Sequence, residues 1–259
     1  MKQRWTVRMK EDWDQRALID AMHYICSERR GWTLEEFLQS GLRDFQQWVQ
    51  PVFERYRFSS RDKTMLEIGC GIGRMTWVFA EHFARVYALD VSPEMIEQGR
   101  RLLEHYSNVE WAVGNGQDLC LFPDCHFDFV FSFLVFHHMP QSRMVLRYIE
   151  EMLRVLRPGG MFLFQFNSAR DSGMRWYGRW FWQCVDLLDQ YGTRRWLRRI
   201  VHWLGYDPAL VGRTWRGAKV KVPDVLTTIW RHDGVVAGVD GWHTHRTWCF
   251  GWKVKRTDG

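Results

Sequence analysis

The chain has 259 residues, of which 46% are hydrophobic and 25% charged, and its net charge at pH 7 is +6. This composition is typical of a folded protein with a sizeable core and excludes a disordered chain. No run of about 18 apolar residues occurs, and charges recur every few positions near Met1, so we expect neither a membrane span nor a signal peptide, and a soluble, cytoplasmic protein.

The spacing of the cysteines and the distribution of charge indicate which bound groups and partners the protein can have. The six cysteines include no CxxC pair, so we expect neither a metal site nor a disulfide framework. Most of the positive charge comes from arginines after residue 168. Such a local basic surface is compatible with a nucleic acid, an anionic membrane, an acidic small molecule or a solvated helix.

Residues 1–58 are predicted to form an N-terminal helical cap. Apolar residues at helical spacing predict a helix over residues 14–29. Thr33 and Glu36 form a capping box that starts another helix. The same spacing continues beyond it, and Pro51 is expected to kink or restart the helix there.

Strands and helices alternate over residues 59–167, the predicted core domain. The predicted strands are 64–68, 85–90, 109–113, 127–133 and 161–166, and the predicted helices are 74–83, 93–106 and 142–156. Short apolar strands alternating with helices are typical of a parallel sheet covered on both faces. Right-handed crossovers make this an α/β fold, a doubly wound, Rossmann-like sheet.

Residues 168–215 interrupt that alternation. Two apolar stripes at helical spacing on either side of Gly192 predict a helical hairpin inserted after the fifth strand. This hairpin is interpreted as a lid over a substrate, as a structural or dimer-forming pair, or as a membrane-surface element.

Residues 216–259 are expected to complete the sheet. A helix is predicted over residues 223–231, followed by strands over 235–240 and 244–255. The two strands are predicted to form a β-hairpin that pairs with the edge of the sheet.

A glycine-rich loop carries the clearest chemical signal, Glu67-Ile68-Gly69-Cys70-Gly71-Ile72-Gly73, between a strand and a helix. Glycines permit positive φ and let backbone N–H groups approach a ligand. Asp90 ends the next strand, where its carboxylate can accept hydrogen bonds from both hydroxyls of a ribose. Loop and aspartate together predict a nucleoside pocket, although a glycine loop alone can also be a tight turn.

Two residues indicate which kind of nucleoside-containing cofactor the predicted pocket binds. Arg74 stands where a dinucleotide site would have its third glycine, which disfavours an NAD-dependent dehydrogenase. Glu67 is instead suited to hold an ammonium group, which S-adenosylmethionine carries.

Four segments, in order over about 100 residues, resemble motifs of the class I S-adenosylmethionine-dependent methyltransferases. They are Leu66-Glu67-Ile68-Gly69-Cys70-Gly71-Ile72-Gly73, Ala88-Leu89-Asp90-Val91-Ser92-Pro93-Glu94-Met95, Phe127-Asp128-Phe129-Val130-Phe131-Ser132 with the following His137-His138, and Leu156-Arg157-Pro158-Gly159-Gly160. The resemblance implies a seven-stranded sheet, S-adenosyl-L-methionine as cofactor and S-adenosyl-L-homocysteine as product.

The resemblance also implies the position of each part of the cofactor. The methionine end is expected near Glu67, Gly69 and the Ser132–Phe133 turn, the ribose on Asp90, and the adenine between Val91 and the Gly116–Gln117 turn. Cys70, Gly71 and Gly73 of the glycine-rich loop are further expected cofactor contacts. Asn115 stands where the family often has an aspartate for the adenine amino group. Either its carbonyl or Asp118 is expected to accept that hydrogen bond.

Five further side chains are candidate site residues, and two roles are open for each. Arg74 either pairs with the cofactor carboxylate or forms a surface ion pair. Trp13 and Tyr24 either close over the cofactor or belong to the core. His137 or His138 is the candidate general base for a hydroxyl or ammonium acceptor, with local packing as the alternative.

The sequence therefore predicts an enzyme that transfers a methyl group to an oxygen or nitrogen of a small, aromatic or otherwise flat metabolite. Methylation of a carboxylate or of carbon stays open. The 16 tryptophans motivate flatness, through stacking. An RNA methyltransferase and a non-catalytic scaffold are the alternatives, although no Asn-Pro-Pro-aromatic motif follows the fourth strand. We expect a small-molecule partner, no nucleic-acid or membrane partner, and a monomer or homodimer.

Overall fold

A computed structural model describes residues 2–169 and 213–254, together with residues 199, 200 and 203. Most of the hairpin predicted over residues 168–215 lies outside the described residues, so it stays a prediction, as do the domain boundaries. In the part of the chain that is described, no helix combines the length and the apolar character needed to cross a membrane.

The described residues contribute seven strands to one mixed sheet. They are β1 Thr64–Ile68, β2 Arg85–Asp90, β3 Val109–Val113, β4 Phe127–Ser132, β5 Leu156–Phe166, β6 Gly234–Asp240 and β7 Thr247–Lys253. Their order is β3-β2-β1-β4-β5-β7-β6. Strands β1 to β5 are parallel, and β7 is antiparallel to both β5 and β6. The predicted doubly wound sheet with an edge hairpin is confirmed.

The strand order reverses between β1 and β4, which are neighbours. From β1 the chain proceeds outward to β2 and β3, then crosses back to β4 and continues to β5. The loops that leave β1 and β4 therefore diverge and open a crevice at the carboxyl edge, where ligands bind in sheets of this type.

Eight α-helices flank the sheet within the described ranges. They are α1 Lys2–Ile25, α2 Leu34–Asp44, α3 Gln50–Arg55, α4 Thr76–His82, α5 Pro93–Leu102, α6 Ser142–Val155, α7 Arg213–Arg216 and α8 Val222–Arg231, and a π-helical turn, Phe45–Val49, joins α2 to α3. One sheet face packs against α6 and α8. The other packs against the π-helical turn, α3 and α4.

Two local predictions are confirmed in the N-terminal helices. The side chain of Thr33 accepts from the N–H of Glu36, whose carboxylate accepts from the N–H of Thr33, so the capping box is present. Pro51 lies in the first turn of α3, where its missing N–H costs no helical hydrogen bond.

The prediction for the first helix is wrong at both ends. The helix begins at Lys2 rather than at residue 14 and ends at Ile25, with non-helical backbone at Asp20. Its first half buries polar side chains, including Arg8 and Asp12, and so lacks a clean apolar stripe. Tertiary contacts, and not amphipathic spacing, stabilise this half.

Smaller corrections concern the ends of other elements. Helix α4 begins at Thr76, two residues late, because the loop of positive-φ glycines extends to Gly73. Helix α5 ends at Leu102 rather than at residue 106, and β5 begins at Leu156, opposite Phe127 of β4, rather than at residue 161. Pairing with β4 extends β5 across the Pro-Gly-Gly turn, where local sequence predicts a loop.

Candidate functional site

A cleft of about 790 Å³ opens at the carboxyl edge, where β1, β2 and β4 end. Its wall is mostly apolar, and among the described residues its polar side chains are Tyr24, Asp90, His138 and Tyr148. An apolar cavity with a few polar groups is the usual form of a small-molecule site.

The glycine-rich loop forms the floor of this cleft. Gly69, Gly71 and Gly73 have φ of 77°, 55° and 93°. The N–H groups of Gly69 and Cys70 both donate to the carbonyl of Leu89, at 2.6 and 3.1 Å, so the loop is fixed to the end of β2. Cys70 is buried, and Gly73 packs beneath the loop against Leu103. Of the three glycines of this loop, Gly69 and Gly71 line the cleft.

Asp90 lies in the same cleft, fixed by backbone donors. The N–H of Gly71 donates to Oδ2 at 3.0 Å and the N–H of Ser92 to Oδ1 at 2.9 Å. Burial raises the pKa of Asp90 to about 6, more than these hydrogen bonds lower it. Each carboxylate oxygen has two lone pairs, so each can still accept a hydroxyl hydrogen bond.

A smaller cavity of about 290 Å³ adjoins the cleft and shares Ile25, Gly69, Phe133 and Leu134 with it. Glu67 and Arg74 both line this cavity. Glu67 is buried and accepts from Oγ1 of Thr76 at 2.6 Å, and burial raises the pKa of its carboxyl to about 7.

Arg74 forms an ion pair, which was one of the two roles predicted for it, but the pair is largely buried and does not lie at the surface. Its Nη1 lies 2.5 Å from Oδ2 of Asp44 and 3.3 Å from Oγ of Ser40, and only 5% of its side chain is exposed. The guanidinium also lies 5.5 Å from the centre of the Phe133 ring. The carboxyl of Glu67 and the guanidinium of Arg74, both buried at one cavity, are complementary in charge to the ammonium and the carboxylate of an amino acid.

The turn after β3 contributes backbone to the cleft. Gly114 and Gly116 line it, whereas the side chains of Asn115 and Gln117 are exposed. Oδ1 of Asn115 accepts from the N–H of Gln117 at 2.7 Å and of Asp118 at 3.0 Å. Both lone pairs of this oxygen are therefore used within the turn, so Asn115 shapes the turn and its carbonyl is not available to a ligand.

The side chain of Ser132 does not reach the cleft. Its Oγ donates to the carbonyl of Ile68 at 3.3 Å, which joins β4 to β1. Phe133 lines both cavities. Leu134 follows with a φ of 61°, a left-handed conformation that costs a non-glycine residue about 1–2 kcal/mol. Strained backbone of this kind is common at ligand sites. Here the left-handed conformation of Leu134 turns the backbone into the cleft, which Leu134 lines.

Helix α1 covers the cleft and places Trp13 and Tyr24 in its wall. Oδ1 of Asp14 accepts from Oγ of Ser92 at 2.5 Å and from the N–H of Glu94 at 3.2 Å. Because Ser92 is the N-cap of α5, these bonds fix α1 to the start of the helix that follows Asp90.

Of the two candidate histidines, the structure brings His138 to the cleft and not His137. Nδ1 of His138 lies 2.5 Å from the carbonyl oxygen of Trp215. Burial, with a smaller contribution from the positive charge of Arg16, lowers the pKa of His138 to about 4. The ring is neutral at pH 7, and because a carbonyl only accepts, its proton is on Nδ1 and Nε2 is basic.

His137 points elsewhere. Its Nε2 is buried without a hydrogen-bond partner among the described residues, and burial lowers its pKa to about 3. A Cβ on Gly217 would lie 1.7 Å from the carbonyl oxygen of His137, so this backbone packs closely against the segment after α7.

Several residues of the cleft were not predicted. Met9, Ile25, Met95, Val135, Met139 and Tyr148 line it. Their only signal in the sequence is apolar spacing, which core residues share. Arg16 and Trp215 meet beside His138, but they are almost 200 positions apart, and no local pattern indicates their contact.

The strand order with an antiparallel β7, the glycine-rich loop and Asp90 define the class I S-adenosylmethionine-dependent methyltransferase fold. Residues 66–164 match the family model of a methyltransferase domain. These residues are therefore a class I methyltransferase domain, a type whose cofactor is S-adenosyl-L-methionine, and the predicted family is confirmed.

Curated relatives include a 2-methyl-6-phytyl-1,4-hydroquinone methyltransferase of Synechocystis, 31% identical over 132 residues, which are 49% of this chain and 40% of that protein. A fatty-acid O-methyltransferase of Mycolicibacterium smegmatis is 36% identical over 116 residues, 44% of this chain and 40% of that protein. The chain thus spans about half or less of the length of the curated relatives it matches.

Solved structures confirm the fold over most of the chain. The magnesium protoporphyrin IX methyltransferase of Synechocystis with bound S-adenosylhomocysteine aligns with a TM-score of 0.60 and 12% identity, covering 95% of this chain and 99% of that one. A SAM-dependent methyltransferase from Aquifex aeolicus aligns with a TM-score of 0.51 and 16% identity, covering 86% and 100%.

Proposed function

We propose that this protein transfers a methyl group from S-adenosyl-L-methionine to an oxygen or nitrogen of a small, flat acceptor, and that oxygen is favoured. The observation that carries the proposal is that one cleft is lined by both Asp90 and His138, and that Nδ1 of His138 is occupied by the Trp215 carbonyl, which leaves Nε2 as the proton acceptor. A nucleoside site and a proton acceptor are what such a transfer requires.

The residues present fit the cofactor. Asp90 retains lone pairs for two ribose hydroxyls, Val91 and Gly116 flank the place expected for a purine, and Glu67 and Arg74 complement an amino acid. Gly69 keeps the loop backbone open, since a Cβ there would collide with Val135. When bound, the cofactor supplies an electrophilic methyl group on a sulfonium centre.

The protein's own part in the reaction is to align the acceptor and to remove one proton. Nε2 of His138 accepts the proton of the acceptor O–H or N–H, and the electron pair of that bond stays on the nucleophilic atom. The imidazolium then releases the proton to water, which is fast because its pKa is about 4.

The cleft favours a flat hydroxyl compound. Trp13, Tyr24, Phe133 and Tyr148 offer aromatic surfaces for stacking. The positive charge of Arg16, which lowers the pKa of His138, also disfavours an ammonium acceptor beside this ring. The names of the hydroquinone and fatty-acid O-methyltransferase relatives support a small, largely apolar acceptor.

The test is release of S-adenosylhomocysteine with mass-spectrometric detection of the methylated product. The panel contains a hydroquinone, a catechol, an aromatic amine and a fatty acid. We expect turnover of a phenolic compound, lost on His138→Ala and kept on His137→Ala, the matched neighbour outside the cleft. Turnover that survives His138→Ala would contradict the role of the base.

Binding of the cofactor without turnover of any acceptor would favour the scaffold alternative. The arginines that suggested an RNA substrate lie largely outside the described residues, so they add no support to it. A monomeric or homodimeric state remains a prediction.

A further inference from the structure

Arg16 of α1 is buried beside the cleft, with 1% of its surface exposed. Its Nη1 donates to the carbonyl of Thr214 and its Nη2 to Oγ1 of Thr214, both at 3.3 Å. Oγ1 of Thr214 in turn donates to Oδ2 of Asp12 at 2.6 Å. Asp12, Arg16 and Thr214, here called the α1–α7 latch, join two helices through residues that are 198 positions apart in sequence.

The latch is continuous with His138. Thr214 is followed by Trp215, whose carbonyl accepts the hydrogen bond of Nδ1 of His138. The guanidinium of Arg16 lies 4.6 Å from the ring centre of Trp13 and 5.2 Å from that of Trp215. The His138 ring lies 5.2 and 4.8 Å from the same two rings, so Arg16 and His138 share two indoles.

We propose that Arg16 is a positioning residue for His138. By holding Thr214, Arg16 fixes the neighbouring carbonyl of Trp215, which keeps the proton on Nδ1 and leaves Nε2 basic toward the cleft. The catalytic meaning of this role rests on the proposed function, whereas the effect on the histidine itself does not.

The charge of Arg16 lowers the pKa of His138, and this effect is larger than that of the hydrogen bond to the Trp215 carbonyl, which raises it. Among the described residues, the titratable groups that line the cleft with His138 are Tyr24 of α1, Asp90 at the end of β2 and Tyr148 of α6. Asp12 and Arg16 lie in the latch, His137 is the neighbour of His138 in the chain, and Arg216 is the neighbour of Trp215. Among them, Arg16 is the group whose charge lowers the pKa of His138. The ring is thus kept neutral, with a free lone pair on Nε2, and it readily releases any proton that it accepts.

The alternative is that Arg16 only stabilises the packing of α1. A packing role requires the hydrogen bonds and the stem of Arg16, but it does not require the proton of His138 to be on one nitrogen. The tautomer and pKa of His138 therefore separate the two roles, whereas a loss of activity or stability alone would not.

The experiment is nitrogen-detected NMR of the full chain, with histidine labelled at both ring nitrogens and saturated with S-adenosylhomocysteine. His138→Gln identifies the signal among the ten histidines. We expect wild-type His138 to be the Nδ1–H tautomer and to remain neutral down to about pH 5. Arg16→Met should give a mixture of tautomers and raise the pKa of His138 by about one unit, the size of the effect of a nearby charge.

Two further variants separate charge from geometry. Arg16→Lys keeps the charge without the two-point contact, so it should keep the low pKa but mix the tautomers. Thr214→Val keeps the charge of Arg16 and removes both hydrogen bonds of the Thr214 hydroxyl, those with Arg16 and with Asp12. The tautomer of His138 in this variant tests the proposal if Arg16→Met does not fold. A wild-type tautomer and pKa in all folded variants would overturn the proposal.

Calorimetry with S-adenosylhomocysteine separates this proposal from the proposed function. Wild type that fails to bind the ligand refutes the function, and the NMR titration can then be carried out on the free protein. With an acceptor in hand, Arg16→Met should lower kcat about tenfold, which is part of the roughly 100- to 10,000-fold that a general base contributes, with little change in KM for S-adenosylmethionine. Its pH–rate profile should shift to higher pH with the pKa of His138.

Discussion

Gly69 and Val135 pack so closely that a Cβ on Gly69 would lie 2.0 Å from Cγ2 of Val135. Gly69 also has a φ of 77°, in the left-handed region. The turn after β1 and the turn after β4 therefore meet at a point where only glycine fits, and Gly69 lines both the cleft and the smaller cavity beside Glu67.

Substitution of Gly69 by alanine should damage both the fold and the site. Gly31 is the matched control, because it has a φ of 70° but no atom of the described residues within 4 Å of the place that an alanine methyl group would take. Gly31→Ala should cost about 1–2 kcal/mol of unfolding free energy from backbone strain and leave ligand affinity unchanged. Gly69→Ala should cost about 1–3 kcal/mol more through the collision and weaken S-adenosylhomocysteine binding at least about tenfold. Urea unfolding and calorimetry measure the two effects, and equal results for both variants would contradict this account.

Affinity for S-adenosylhomocysteine should increase with pH. The ammonium and hydroxyl groups of the ligand favour ionised carboxylates, whereas burial raises the pKa of Glu67 to about 7 and of Asp90 to about 6. Binding therefore releases protons below these values, so affinity should rise between about pH 5 and pH 8 and then level off. Glu67→Gln should remove the upper part of this dependence and keep the part near pH 6. Titrations in which wild-type affinity does not change with pH would be inconsistent with carboxylate contacts.

Arg74 should distinguish ligands by their amino acid. Arg74→Met should weaken S-adenosylhomocysteine about tenfold, by loss of a charged hydrogen bond, but not 5′-methylthioadenosine, which lacks the ammonium and carboxylate. Asp44→Asn should lower the unfolding free energy by about 1–3 kcal/mol, because it leaves the Arg74 guanidinium without its partner, yet it should not weaken ligand binding. Equal weakening of both ligands by Arg74→Met would mean that Arg74 acts only through the fold.

Asp14 should control how firmly α1 covers the cleft. Asp14→Ala removes the acceptor for Ser92 and Glu94, and it should cost about 1 kcal/mol and increase protease cleavage within α1. Asp20→Ala is the control on the same helix, because the carboxylate of Asp20 accepts locally, from the N–H of His23 at 3.0 Å. S-adenosylhomocysteine should protect wild type and Asp20→Ala from cleavage more than Asp14→Ala. The same cleavage pattern in all three proteins would show that Asp14 does not hold α1 in place.

The sheet was predictable from the sequence because its signals are local. Strands β1, β2 and β3 begin and end where predicted, since each is a short apolar run between polar or turn residues. The glycine-rich loop and Asp90 follow two of these strands, so their meeting at one edge of the sheet follows from parallel pairing.

The rest of the site depends on contacts that no local pattern carries. The start of α1 was missed because Asp12 and Arg16 are buried through partners on α7, and a helix with buried charges has no apolar stripe. His137 and His138 are adjacent, and what brings His138 to the cleft is a hydrogen bond to Trp215, 77 positions away. Asn115 matches a motif position, but its oxygen is used within its own turn.

The most direct test of the account is calorimetric titration of S-adenosylhomocysteine into wild type, Asp90→Asn and Asp128→Asn. Asp128 is the matched control, because Oδ2 of this strand aspartate accepts a backbone N–H, from Thr64 at 2.9 Å, and it lies at the opposite edge of the sheet. Wild type and Asp128→Asn should bind equally well, and Asp90→Asn should lose about ten- to a hundredfold in affinity, the scale of charged hydrogen bonds. No binding by folded wild type, or equal loss in both variants, would contradict the assignment of this cleft to the cofactor.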